Sequence, residues 1–297
     1  MSEDGRPENR LGDYLRARRE LVTPESVGLP PGRSRRVPGL RREEVAMLAG
    51  ISADYYLRLE QGRDRNPSVQ VVEALARVLQ LDPPATDYLL GLAAPRRRRT
   101  ARRPRPERVP PETAQLLEVI GLPAYVEGRF LDVLASNALA RALIPGARPG
   151  ENRLRSLFLD SAERALLPEC DMLLPRLVAG FRNRVGGDVD DPRVVQLVGE
   201  LSLASEDFRQ AWARHDVKEV HGKEVLLHHP QLGPLTLSLS KLTVQGTDRI
   251  TLVVHHAEPG SESAQKLALL GSLAAEPSLH RPDDPSILPR HAAETRE

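Results

Sequence analysis

Tyr55 and Arg58 stand three residues apart in ISADYYLRLEQGR, one turn apart on a helix. An arginine so placed can donate two parallel N–H groups to guanine O6 and N7, which is the chemistry of reading a base rather than breaking a bond. Other residues invite a chemical reading and support it poorly. Cys170 is the only cysteine, and the acidic neighbours in LLPECDMLLP raise a thiol pKa rather than activate it. All eight histidines follow residue 214. His228-His229 and His255-His256 are adjacent pairs, and adjacent residues on a strand point to opposite faces, so neither pair can chelate one ion. The run from Trp212 to Asp216 (WARHD) reads better as a core tryptophan followed by polar groups at a helix end. No nucleophile elbow, phosphate loop or dinucleotide fingerprint occurs. Neither catalytic residues, a metal nor a cofactor is expected, and the chain is not expected to be an enzyme.

The elements that must position Tyr55 and Arg58 are legible around them. In RREEVAMLAG, Val45, Leu48 and Ala49 recur at helical spacing. Gly50 stops that helix, because glycine enters a left-handed C-terminal turn without a steric cost. Ser52 is then a good N-cap, and Asp54 sits in the first turn against the helix dipole. A second helix runs from Ala53 to Gln61, with Tyr56, Leu59 and Glu60 inward. Two short helices joined by a tight glycine turn make a helix-turn-helix, whose second helix enters the major groove. One helix precedes the pair, from Asn9 to about Leu21, with Leu11, Leu15 and Ala17 on its face. Two follow it, Val69 to Leu79 and another opened by Asp82-Pro-Pro. Between the first helix and the pair lies VTPESVGLPPGRSRRVPGL, a loop rich in Pro, Gly and Arg. Its Arg33, Arg35 and Arg36 either reach phosphates or are solvated.

Charge divides the chain. Residues 1–110 hold 22 Arg, no Lys and 15 acidic residues, a net +7, whereas residues 111–297 carry a net −6. Only the first part suits a polyanion. Residues 95–108, PRRRRTARRPRPER, hold eight Arg and three Pro, a linker by composition that can also grip phosphates without sequence preference. No run of 18 apolar residues is present and the polar N-terminus shows no secretory signal, so a cytoplasmic protein, at the nucleoid when bound to DNA, and no membrane contact are expected.

The order of elements after the linker predicts an α+β domain. PAYVEGRFLDVLAS reads as two strands about a turn at Glu127-Gly128-Arg129. Asn137 caps a helix, and four helical stretches follow between about Ser161 and His215. Three β-rich runs come next. Leu235, Leu237 and Leu239 alternate with Thr236 and Ser238, the period of a half-buried strand. A last helix spans Ser263 to Ala274. The expected fold is multidomain α and α+β, a five-helix helix-turn-helix domain followed by a PAS-like α+β domain. Expected bounds are 9–92 for the first domain, 93–110 for the linker, 111–275 for the second and 276–297 for a disordered tail. Phe130, Leu134, Trp212, Leu226, Leu237 and Val253 are either ordinary core or the lining of a ligand cavity; composition does not separate the two.

The Arg41–Ser68 stretch resembles the Cro/repressor-type (XRE) helix-turn-helix family. RSRRVPGLRREEVAMLAGISADYYLRLEQGR, PAYVEGRFLDVLASNALARAL, ELSLASEDFRQAWARHDV and HHAEPGSESAQKLALL, in that order, look like the MmyB-like regulators over roughly residues 10–275. The resemblance implies a transcription regulator that binds double-stranded DNA and is controlled by a small apolar, fatty-acid-like ligand. It implies that Ala53, Asp54, Tyr55 and Arg58 face the DNA and that Glu60 is structural. The DNA-binding set is expected to comprise these four with Arg41, Arg42, Ser52, Arg63 and Arg65. One helix-turn-helix reads only a half-site, so a homodimer is expected. The alternative keeps the DNA binding and leaves the second domain to dimerisation alone.

Overall fold

The computed structural model describes residues 9–30, 39–94, 107–219, 224–247 and 249–275. Arg33, Arg35 and Arg36, the linker arginines from Arg96 to Arg105, and the tail 276–297 lie outside the described residues. The first part is helical: α1 (Arg10–Leu21), α2 (Arg42–Ala49), α3 (Ala53–Glu60), α4 (Val69–Val78) and α5 (Pro83–Ala93). Asn9, Ser52, Ser68 and Asp82 each accept a first-turn N–H at the start of their helices. Gly50 closes α2 at φ 68°, the left-handed turn expected of it. Tyr14, Leu15, Val45, Tyr56, Leu59, Leu75 and Leu89 form the core.

Two positions depart from the sequence reading. Leu48 is 37% exposed, and Ala46 instead turns inward beside Val45, where its size lets α2 and α3 approach. Arg19, which is not among the residues Leu11, Leu15 and Ala17 read as the apolar face of α1, is buried. Its Nε donates to Glu60 Oε1 at 2.7 Å and its Nη1 to the Leu40 carbonyl at 2.9 Å. Arg42 Nε donates to Glu60 Oε2 at 2.6 Å. The fully buried Glu60 carboxylate thus ties α3 to α1 and α2. The helices are close there: a Cβ on Gly12 would fall 2.2 Å from the Glu60 carbonyl oxygen, which Asn9 Nδ2 also reaches at 2.5 Å.

The second part begins with α6 (Pro111–Val119), β1 (Ala124–Glu127), β2 (Val133–Ser136) and α7 (Ala138–Leu143). Five helices follow: α8 (Arg153–Leu159), α9 (Ser161–Ala165), α10 (Cys170–Val185), α11 (Pro192–Ala204) and α12 (Glu206–Ala213). Then come β3 (Glu224–His229), β4 (Gly233–Thr243), β5 (Thr251–His256) and α13 (Glu262–Ala275). The α8 helix is the element missing from the sequence reading, because Arg153 and Arg155 interrupt the apolar period of RLRSLFL. The strands form one antiparallel sheet in the order β2-β1-β5-β4-β3. Leu227, Leu235, Leu237 and Val253 on one face pack with Phe181 and Phe208 from the helices. Ala124, Val126, Leu252 and Val254 lie against Leu117 of α6 in a separate cluster. The fold is therefore a helix-turn-helix region followed by an α+β domain.

The two parts are in contact. Val217, just beyond α12, is buried in the core cluster of the first part. Asp216 accepts from Arg18 at 2.5 Å and from Arg214 at 2.9 Å, and Arg10 pairs with Asp190. Asp216 thus bridges the two parts, which no local pattern in WARHD could show. The Tyr14 ring stands edge-on to His215 at 6.2 Å.

Burial pushes the His215 imidazole down to about 4, and the Arg182 and Arg18 charges add to the effect. The folded protein therefore holds His215 neutral, and between pH 6.5 and about 4 the unfolded chain binds the extra proton. Stability should be fully present above that window and fall as pH drops through it. Thermal unfolding at about pH 7 and about pH 5 should show a smaller difference for His215→Gln than for the parent. An equal difference in the two proteins would contradict this assignment.

Candidate DNA-reading face and ligand cavity

The outer surface of α3 is built by its cap. Ser52 Oγ accepts the Tyr55 N–H at 3.1 Å, which fixes where Ala53, Asp54 and Tyr55 leave the turn. Ala53 and Asp54 are exposed, and Tyr55 is half-buried. Arg58 Nη1 donates to Asp54 Oδ2 at 2.8 Å, and its guanidinium lies 5.7 Å from the centre of the Tyr55 ring. An exposed i,i+4 pair of this kind contributes about 0.3–0.5 kcal/mol, enough to orient Arg58 and too little to hold it against a better partner. Partial burial raises the Tyr55 pKa, so the phenol stays a donor. Arg41 is exposed at the start of α2, where its backbone N–H donates to Glu44 Oε2 at 2.7 Å. Arg42 divides its side chain between solvent and Glu60. Arg63 and Arg65 are exposed after α3, and Arg65 Nε donates to the Gly62 carbonyl at 2.9 Å.

The second part contains a cavity of about 420 Å³ between α8–α10 and the β3–β4 side of the sheet. Leu154, Leu166, Leu173, Leu177, Leu227 and Leu239 are among its apolar walls. Polar groups stand in the same lining: Tyr125, Arg153, Glu163, Glu127, Lys241 and His255. Glu163 pairs with Arg153 and accepts the Gly146 N–H at 2.8 Å. Glu127 takes Arg184 Nη1 at 2.8 Å and Lys241 Nζ at 3.1 Å. Burial opposes the charge of Arg153, but Tyr125 and Glu163 outweigh it and raise its pKa. Burial pushes the Tyr125 phenol up to about 12. Burial, with the charges of Arg153 and Lys241, pushes His255 down to about 3. At neutral pH, then, the lining holds a neutral imidazole, a neutral phenol and a charged guanidinium. Arg153 Nη1 and His255 Nδ1 have no hydrogen-bond partner. The size matches small-molecule sites, which run from about 300 to 1,000 Å³ with apolar walls and a few polar groups.

Residues 109–270 match the MmyB-like transcription regulator ligand binding domain, and residues 10–89 match a helix-turn-helix domain. The chain belongs to the MmyB-like transcription regulators. No curated protein matches it. It is a DNA-binding regulator that carries a ligand-binding domain. Among the described residues, no helix is long and apolar enough to cross a membrane, and no three potential metal ligands come together.

Of the six residues read from sequence as possible cavity lining, Leu226 is in the wall. The other five serve packing. Phe130, Leu237 and Val253 are buried in the main core, and Trp212 packs against it, stacked 5.8 Å from Phe208. Leu134 belongs to the cluster around α6. Leu237 and Val253 fill the sheet face beside the space, whose lining runs from Tyr125 and Glu127 of β1 through His255 of β5 to Leu239 of β4 and Leu227 of β3. Sequence reasoning missed Tyr125, Arg153, Glu163, Lys241 and His255. The available signal was weak: two arginines, Arg153 and Arg155, breaking the apolar run of α8, and a carboxylate ten residues after the first. The histidine pairs divide as strand geometry requires. His229 and His255 are buried, whereas His228 is exposed. His256 is half-buried, its Nε2 3.0 Å from Ser240 Oγ.

If Arg58 reads a guanine, Arg58→Ala should weaken binding to the preferred site by roughly 1–3 kcal/mol and relax one base position. Asp54→Asn should instead strengthen binding to random DNA, because a carboxylate facing phosphates is removed. Binding selections on randomised duplexes read both effects. Equal losses on preferred and random DNA for Arg58→Ala would reduce Arg58 to a phosphate contact.

Proposed function

We propose that this regulator reads a DNA site through Tyr55 and Arg58, with Ala53, Asp54, Ser52, Arg41, Arg42, Arg63 and Arg65 around them, and that its second domain senses an amphiphile with an acidic head. The basic residues 1–110 suit the DNA, and the reading is of a regulator rather than an enzyme. Leucine walls suit an apolar chain. The observation that carries the ligand reading is Arg153, a buried guanidinium in the cavity wall with one nitrogen lacking a partner. A buried cation gains from an anion only when desolvation is repaid by hydrogen bonds, and an acidic head supplies both. A fatty-acid-like molecule has this chemistry. Specificity in a genome needs two half-sites, so we propose a homodimer on a roughly palindromic operator, acting at the nucleoid.

Native mass spectrometry of the full-length protein tests both parts. The expected result is a two-copy mass carrying an acid that denaturation releases and that Arg153→Met fails to retain. A monomer without an adduct, together with no heat on titrating dodecanoate, would contradict the reading.

A further inference from the structure

Some of the residues that dock the DNA-binding head and some that wall the cavity lie on the same two pieces of chain. The first piece is α10. Leu173, Arg176 and Leu177 of its first half line the cavity. Arg182, roughly 9 Å further along the helix axis, lies at the head. Its guanidinium sits 3.7 Å from the centre of the Trp212 ring and donates to the Trp212 carbonyl at 2.5 Å. Its Nη1 is 3.3 Å from His215 Nδ1, and Tyr88 of α5 in the head lies near enough to act on its charge. The second piece is the run from Arg214 to Glu219. His215 faces Tyr14, Asp216 takes Arg18, and Val217 enters the core of the head. The next two residues, Lys218 and Glu219, are in the cavity lining. Besides the Arg182–His215 contact, a second clasps the two pieces together: the Lys218 N–H donates to the Ala179 carbonyl at 3.3 Å.

Each piece carries a break in regular backbone between its cavity end and its head end or beside one of them. Pro175 lies inside α10, where it removes one helical hydrogen bond beside the cavity-lining turns. His215 holds a left-handed φ of 52°, a strained turn for a non-glycine residue that marks where the chain leaves α12 for the head. Val217 is two residues beyond that turn, so a small displacement of Lys218 acts directly on an apolar side chain seated in another core.

We infer that α10 and the segment His215–Glu219 couple the cavity to the docking of the DNA-binding head, so that an occupant spreading the mouth of the cavity opens the Lys218–Ala179 clasp, withdraws Val217 and releases the head. This inference rests on the ligand reading above. Coupling is reciprocal: whatever loosens the head must tighten binding in the cavity by the same factor. An occupant acts only through its preference for the released arrangement.

The test uses the full chain, dodecanoate as probe, and two variants at the head contact, Arg18→Gln and Val217→Ala. Calorimetric titration should show both variants binding dodecanoate at least about fivefold more tightly than the parent, the low end of ordinary coupling. Hydrogen–deuterium exchange should show dodecanoate speeding exchange in α1 and α5 of the parent. It should also show Arg18→Gln speeding exchange at residues 172–177 in the absence of any probe. Arg18→Gln removes only a partly exposed ion pair, so it serves if Val217→Ala does not fold. Unchanged affinity with exchange altered only at the contact itself would overturn the coupling. Failure of dodecanoate to bind the parent would count against the ligand reading alone. The exchange at residues 172–177 in Arg18→Gln would then decide: faster supports the coupling, unchanged overturns it.

Discussion

A carboxylate cannot be buried alone. Transferred from water to a protein interior, it costs several kcal/mol that only a paired cation and further hydrogen bonds repay. Among the described residues three glutamates are buried, Glu60, Glu127 and Glu163, and each stands beside the DNA-reading helix or the cavity. Glu60 draws Arg19 from α1 and Arg42 from α2, and so sets the angle at which α3 leaves the head. Glu127 gathers Arg184 and Lys241 at one side of the cavity, and Glu163 holds Arg153 at another. Removing one partner from such a pair typically costs about 3–5 kcal/mol, because the other charge is left buried. Packing alone would tolerate several orientations of short helices; these ion pairs select one.

Arginine has a second role at the junction of the two parts. Arg182 is buried with aromatic rings and carbonyl oxygen rather than a carboxylate beside it, and burial lowers its pKa. The guanidinium suits this position, since it stacks on Trp212 while donating along its edge. Lysine, a point charge on a flexible stem, could not make both contacts at once. Among the described residues, the head is held by one stacked cation, the two ion pairs Arg18–Asp216 and Arg10–Asp190, and one inserted valine. That is a modest attachment, of the kind a ligand's preference of a few kcal/mol can shift.

Local rules were legible in the sequence wherever one residue decides one turn. Gly50, Ser52 and Asn137 announced their caps, and the alternation of Leu235 and Leu237 announced a strand with one buried face. The five strands and most helices followed from such signals. Three kinds of feature were not legible. Arg19, Arg153 and Arg182 are buried, yet in a chain with so many arginines nothing local separates a buried one from a solvated one. Leu48 follows the helical period and is exposed, because the neighbouring helix is met by Ala46 instead. The cavity could not be placed, since a filled core and a hollow one have the same composition. Leu237 and Val253 fill space while Leu173 and Leu177 border it, and only the three-dimensional gap between α10 and β3 makes the difference.

If the proposed coupling holds, occupancy of the cavity controls DNA binding. The most direct measurement is fluorescence anisotropy on a duplex selected from genomic fragments, titrated with full-length protein with and without dodecanoate at a concentration shown to fill the cavity. Release of the heads should weaken binding to the selected operator by at least about fivefold and leave binding to random DNA nearly unchanged. Identical operator affinity with the cavity demonstrably occupied would contradict the claim.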